Sequence, residues 1–150
     1  MRLIVDGDAC PVKELVLRAA HRLGLPLLLV SNKPMGFGRE PGVTAVIVPE
    51  GPDEADRWIV AEATPRDLVV TADIPLAAAL VANDVTVVGH RGEVFDQANI
   101  GDLMAGWALH RALRDEGQTV GGPKAYNQKD WAAFASAFDR ALTKLQRRKG

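Results

Sequence analysis

Short apolar runs alternate with amphipathic segments along the first two thirds of the chain. Residues 3–5, 25–30, 43–48, 68–71 and 85–88 are nearly continuous in Leu, Ile and Val, which predicts five strands buried on both faces of a parallel sheet. Between the first two, residues 11–23 place Val12, Leu15, Val16, Ala19, Ala20 and Leu23 at helical spacing. Lys13, Glu14, Arg18 and Arg22 fall on the opposite face, and Gly24 follows as a C-terminal stop. Pro11 fits the first position of that helix. A second helix, with Asp53 as its N-cap, carries Ala55, Ile59 and Ala63 on one side. A third, over 75–82, is short and apolar and ends at Asn83-Asp84.

The last third changes period. Residues 99–116 form one long helical pattern through Ile100, Leu103, Met104, Trp107 and Leu113. After a Gly-rich connection, 127–130 reads as a cap and first turn. A final helix runs from Trp131 to about Arg147, with Phe134, Ala135, Phe138, Leu142 and Leu145 as its core stripe. Strand and helix alternating at these lengths give a parallel, helix-covered α/β sheet, and right-handed crossovers bring the strand ends to one edge.

That edge collects acids. Asp6 and Asp8 flank Gly7 directly after the first strand, and Asp73 follows the fourth, with Pro75 opening the next helix as Pro11 does the first. Ligands of open α/β sheets bind beyond the carboxyl ends of the strands. Taken alone, Asp6 and Asp8 read equally well as a helix cap with a solvated neighbour. Carboxylates from separate segments at one edge repel unless a cation or a proton sits among them, and an oxygen-only set suits Mg²⁺ or Mn²⁺. Asp6, Asp8 and Asp73 are therefore the candidate metal ligands. Asp56, one turn from Ile59 and Val60, is a further candidate, or else a solvent-facing helix acid.

Composition narrows the rest. The 150 residues suit one domain, 1–150, and 47% hydrophobic content can fill a core. A net charge of −1 excludes a globally basic nucleic-acid binder, while a local patch remains open. The basic tail after Lys144 reads first as cations at a helix C-terminus. The single cysteine, Cys10, forms no intramolecular disulfide, and it reads as a small buried residue. No run reaches membrane-spanning length and no signal-peptide pattern is present, so a cytoplasmic protein is expected. Lys33, Arg39, Arg91 and Lys124 are loop cations placed to neutralise substrate phosphates. His90 beside Arg91 is a weaker candidate. No zinc constellation and no phosphate-binding glycine loop follows the first strand.

Several motifs taken together carry a resemblance: 5–13 (VDGDACPVK), 55–59 (ADRWI), 70–77 (VTADIPLA), 91–93 (RGE) and 121–123 (GGP). In this order along nearly the whole chain, they resemble the YaiI/YqxD-like family of small bacterial proteins. That family is in turn similar to the PIN-like superfamily. The resemblance implies a three-layer α/β/α sandwich with a mostly parallel sheet of about five strands and C-terminal helices. It also implies an acidic cluster of Asp6, Asp8, Asp56 and Asp73, and a Mg²⁺- or Mn²⁺-dependent nuclease acting on RNA. The chain departs from the family pattern at Gly106-Trp107-Ala108, where Met-Arg-Asp is usual, and at Trp131, where Arg is usual. Those departures keep open a catalytically degenerate module that binds nucleic acid or protein. An Asp-nucleophile phosphatase is a third reading, although the later Ser/Thr and Lys motifs of that class are not evident.

Overall fold

Alternate side chains of each strand serve two different cores, and that division sets the architecture. A computed structural model describes residues 1–7, 10–33, 40–119, 121 and 124–148. In chain order the elements are β1 (Leu3–Asp6), α1 (Lys13–Leu23), β2 (Leu27–Ser31), β3 (Val43–Ile47), α2 (Glu54–Glu62), β4 (Leu68–Val70), α3 (Ile74–Ala82), β5 (Thr86–Val88), β6 (Val94–Phe95), α4 (Ile100–Asp115) and α5 (Gln128–Arg148). The strands form one sheet in the order β3-β2-β1-β4-β5-β6. The first five are parallel and β6 is antiparallel to β5. Leu3, Val5, Leu27, Leu29, Leu68 and Val70 point to one face, where Val16 and Ala20 of α1 and Phe134, Phe138 and Leu142 of α5 complete the core. Ile4, Val30, Val69 and Val87 point to the other, against Ile59 of α2, Leu76 and Leu80 of α3, and Ile100 and Leu103 of α4. The result is the expected three-layer α/β/α sandwich.

The chain leaves β1 toward β2 and leaves β4 toward β5, in opposite directions across the sheet. With right-handed crossovers, this sends α1 and α3 to opposite faces and opens a crevice between the ends of β1 and β4.

The structure departs from the sequence expectations at several ends. Pro11 does not open α1: it lies in a turn, Val12 takes the cap position without a capping side chain, and the helix begins at Lys13. Gly24 closes α1 as expected, with φ 64°. α5 begins at Gln128 because Asn127 and Asp130 cap each other. The Asn127 amide donates to Asp130 Oδ2 at 3.1 Å and the Asp130 amide donates to Asn127 Oδ1 at 3.0 Å.

The sixth strand is the main addition. Residues 89–93 turn tightly, Gly92 takes φ 89°, and Val94–Phe95 pairs back on β5. This hairpin docks on the start of α5. A Cβ at Gly92 would lie 2.7 Å from the Ala133 carbonyl oxygen. Arg91 pairs with Asp130 at 2.7 Å, donates to the Lys124 carbonyl and lies over the Tyr126 ring. The Tyr126 hydroxyl donates to the His90 carbonyl at 2.8 Å.

At the opposite, amino-terminal edge the buried Asp67 joins β1 to β4. Its carboxylate accepts from the Arg2 amide, the Arg2 guanidinium, and the amide and hydroxyl of Thr64, at 2.9–3.3 Å.

Candidate functional site

The crevice at the carboxyl ends of β1 and β4 is a cleft of about 300 Å³, lined by Asp6, Asn32, Asp53, Glu54, Asp56 and Asp73 among others. Asp6 is the last residue of β1, where the parallel ladder with β2 fixes its backbone against Val30. Thr71, fully buried just beyond β4, links the two strand ends. Its hydroxyl donates to Asp6 Oδ2 at 3.1 Å and accepts from the Asp73 amide at 3.1 Å. Asp73 is the N-cap of α3: Oδ1 accepts from the Leu76 amide at 2.9 Å, and Pro75 occupies the first turn, where no amide is needed.

Asp56 reaches the cleft from the first turn of α2, which packs across the sheet through Ile59. Partial burial pushes its carboxyl up to about 6, and the negative charges of Asp73, Asp6 and Asp53, with a hydrogen bond to Asp73, push the same way. Asp53 holds the cap position of α2 as expected, but in the left-handed region (φ 67°) and without a side-chain cap hydrogen bond. Asp53 lines the cleft, and its negative charge acts on Asp56 there.

The cleft is short of positive charge. Among the described residues that line it there is no Lys or Arg. Lys13 lies close by, its Nζ donating to the Gly7 carbonyl at 3.4 Å. None of the described phosphate-neutralising cations expected from the sequence lines the cleft itself. Lys33 is exposed beyond β2, Lys124 is exposed before α5, and Arg91 is held by Asp130 and the Lys124 carbonyl. Asp8 and Arg39 fall outside the described residues. Among the described residues, no three of His, Cys, Asp and Glu are grouped as a metal ion would require. Asp6, Asp56 and Asp73 thus share one cleft without forming a closed ligand set.

The remaining reactive groups do not join them. Cys10 is buried, and burial pushes its thiol up to about 11, so it stays protonated near neutral pH. Burial lowers the His90 imidazole pKa, partly opposed by Glu93, and its Nε2 has no hydrogen-bond partner among the described residues. His21 and His110 meet the carbonyls of Pro41 and Gly121. Neither tryptophan departure touches the cleft. Trp107 lies under the Arg111 guanidinium, 5.3 Å from the ring centre, and Trp131 is exposed beside α1.

Thr71, Asn32 and Asp53 are the site residues that the pattern of acids did not single out. The available signal was positional, since Thr71 is the last residue of one predicted strand and Asn32 stands two residues past the end of another.

Comparison with known proteins agrees with this chain-wide pattern. The profile described as "Uncharacterized BCR, YaiI/YqxD family" matches residues 4–144. The UPF0178 protein of Trichlorobacter lovleyi is 44% identical over 149 residues, covering 98% of this chain and 97% of its own. The UPF0178 protein BPP1051 of Bordetella parapertussis is 45% identical over 152 residues, covering 100% and 95%. With the match reaching from β1 into the last turns of α5, and so across every element that builds the cleft, the chain belongs to the YaiI/YqxD family.

Proposed function

We propose that the cleft is the site of a divalent-cation-dependent phosphodiesterase acting on RNA, as the PIN-like resemblance expected from the sequence motifs implies. The observation that carries this reading is the shared placement of Asp6, Asp56 and Asp73 at the strand crevice, with Asp56 raised to about 6 by burial and by its acidic neighbours. Such a carboxyl marks uncompensated negative potential, which a cation relieves. The donors are all oxygen, as Mg²⁺ or Mn²⁺ requires, and a hard ion completes its shell with water when protein ligands are few. Asp6, Asp8 and Asp73 would hold the ion, and bound there it supplies charge neutralisation at a phosphate and a more acidic water.

The chain's own groups divide the remaining work. Asp56, which lines the cleft outside the proposed ligand set, is suited to take a proton from an attacking water. Thr71 holds Asp6 and the Asp73 backbone in one arrangement. Lys33, Arg39 and Lys124 would guide the strand from the loops. Arg91 would contribute only by giving up Asp130. A cleft whose described lining holds acids and no Lys or Arg repels a polyanion, so activity should depend strictly on added cation.

The test is a Mn²⁺ titration by calorimetry of wild type against Asp6→Asn/Asp73→Asn, alongside cleavage of a labelled RNA. Binding and cleavage are expected in wild type and absent in the variant. Equal Mn²⁺ affinity in both proteins would refute the site. A module that binds nucleic acid without cleaving it is the second reading, favoured by the commitment of one Asp73 oxygen to the α3 cap.

A further inference from the structure

α5 is amphipathic in two senses. Phe134, Phe138 and Leu142 face the core, while Arg140, Lys144 and Arg148 form a row one turn apart along its exposed flank. All three line one groove of about 520 Å³ between α5 and the β5–β6 edge of the sheet, whose floor includes Val94, Ala141 and Leu145. None of the three is in an ion pair among the described residues. The cleft acids lie at the other, carboxyl end of the parallel strands.

We propose that this groove binds the phosphate backbone of a single-stranded nucleic acid, with Arg140, Lys144 and Arg148 each meeting one phosphate. Successive cations stand about 6 Å apart along the helix axis, four residues at 1.5 Å each. That is close to the repeat of phosphates along an extended strand. The positively charged flank tracks a backbone as the grooves of sequence-tolerant single-strand sites do, and the floor is aliphatic rather than an aromatic stacking platform. A membrane surface fits less well, because the apolar face of α5 is already buried in the protein core and cannot insert. Asp84 and Asp96 on the opposite wall keep an anionic backbone to the α5 side of the groove. The choice of polymer rests on the nucleic-acid reading of the cleft, but the surface is separate from it.

The experiment is fluorescence anisotropy with a labelled oligouridylate of about 16 nucleotides, in chelator so that cleavage is silent. Three proteins are compared: wild type, the triple variant Arg140→Ala/Lys144→Ala/Arg148→Ala, and Lys144→Ala alone. The single exposed substitution guards against a triple variant that fails to fold. The triple variant should lose roughly tenfold to a hundredfold in affinity at about 0.1 M salt, and its log–log salt slope should flatten by about 2, at roughly 0.7 per lost cation. Lys144→Ala should lose about a third of that slope change. An unchanged affinity and slope in the folded variants would overturn the proposal, as would wild-type binding to polyglutamate or anionic vesicles that matches or exceeds binding to RNA. Binding by wild type that the triple variant loses, with no Mn²⁺-dependent cleavage by wild type, would leave the groove intact and refute only the cleft.

Discussion

Asp56→Asn removes a charge that the folded protein holds at a cost. The Asp56 carboxyl rises from an ordinary 3.8 to about 6. The folded state therefore binds its proton more tightly than the unfolded chain, which titrates near 3.9. Below about pH 4 both states are protonated and the effect vanishes. Between about 4 and 6 the wild type loses stability as pH rises, and above about 6 the full penalty applies. At 1.36 kcal/mol per pH unit the ceiling is about 3 kcal/mol; the carboxyl opens onto a solvated cleft, and screening reduces this to about 1 kcal/mol. Asparagine keeps the size and a hydrogen-bonding group without the charge. Urea unfolding of wild type and variant at several pH values between about 4 and 8 reads the difference directly. The variant should be about 1 kcal/mol more stable at pH 8 and equal to wild type at pH 4. Mn²⁺ should reduce the difference at pH 8 by stabilising wild type, since a cation relieves the same repulsion. A variant that is equally destabilised at both pH values would refute the reasoning, because Asp56 would then be a favourable hydrogen-bonding group rather than a strained charge.

Asp67 has the opposite sign. Burial alone would raise its carboxyl, but the hydrogen bonds from Arg2 and Thr64 outweigh that and hold it below the ordinary value. Its contribution is present above the unfolded value near 3.9 and is lost as pH falls through the lower folded value. Asp67→Asn should cost about 2–4 kcal/mol near pH 7 in denaturant melts, the gap to wild type narrowing under strong acid; a gap independent of pH would refute the pairing. Gly92→Ala forces a left-handed φ on a side chain and drives a Cβ into the Ala133 carbonyl. A loss of about 2–4 kcal/mol is expected by thermal unfolding. A loss under about 0.5 kcal/mol would show that the β5–β6 hairpin is not held against α5.

The fold was legible wherever the chain offered enough residues for a period to register. β1, β2, β4 and β5 appear as apolar runs because strands inside a parallel sheet are buried on both faces, while β3 reads the same way although it is an edge strand with Thr44 and Ile47 exposed. β6 was not legible, since two residues carry no period and its pairing depends on the Gly92 turn and the α5 surface behind it. The start of α1 was misplaced because Pro11 satisfies a helix rule that the Val12 backbone (φ −111°, ψ 14°) does not follow. At the site, Asp6 and Asp73 could be placed because each ends a strand. Asp53 could be placed but its behaviour could not: a positive φ turns an apparent cap residue away from its helix. Arg91 read as a loop cation because its partner Asp130 is 39 residues away, a distance over which local pattern is silent.

The hydroxyl of Thr71, bonded both to Asp6 and to the backbone of Asp73, ties the geometry of the cleft to the sheet itself. β1 and β4 are hydrogen-bonded neighbours, and neighbouring strands stand about 4.8 Å apart whatever the loops around them do. The gap between the two acid-bearing segments is thus a lattice constant of the fold. Loop insertions around the cleft can alter what is admitted to it without changing this spacing. A substitution at Thr71 does the reverse: the loops stay as they are, and the two acids lose their common reference point.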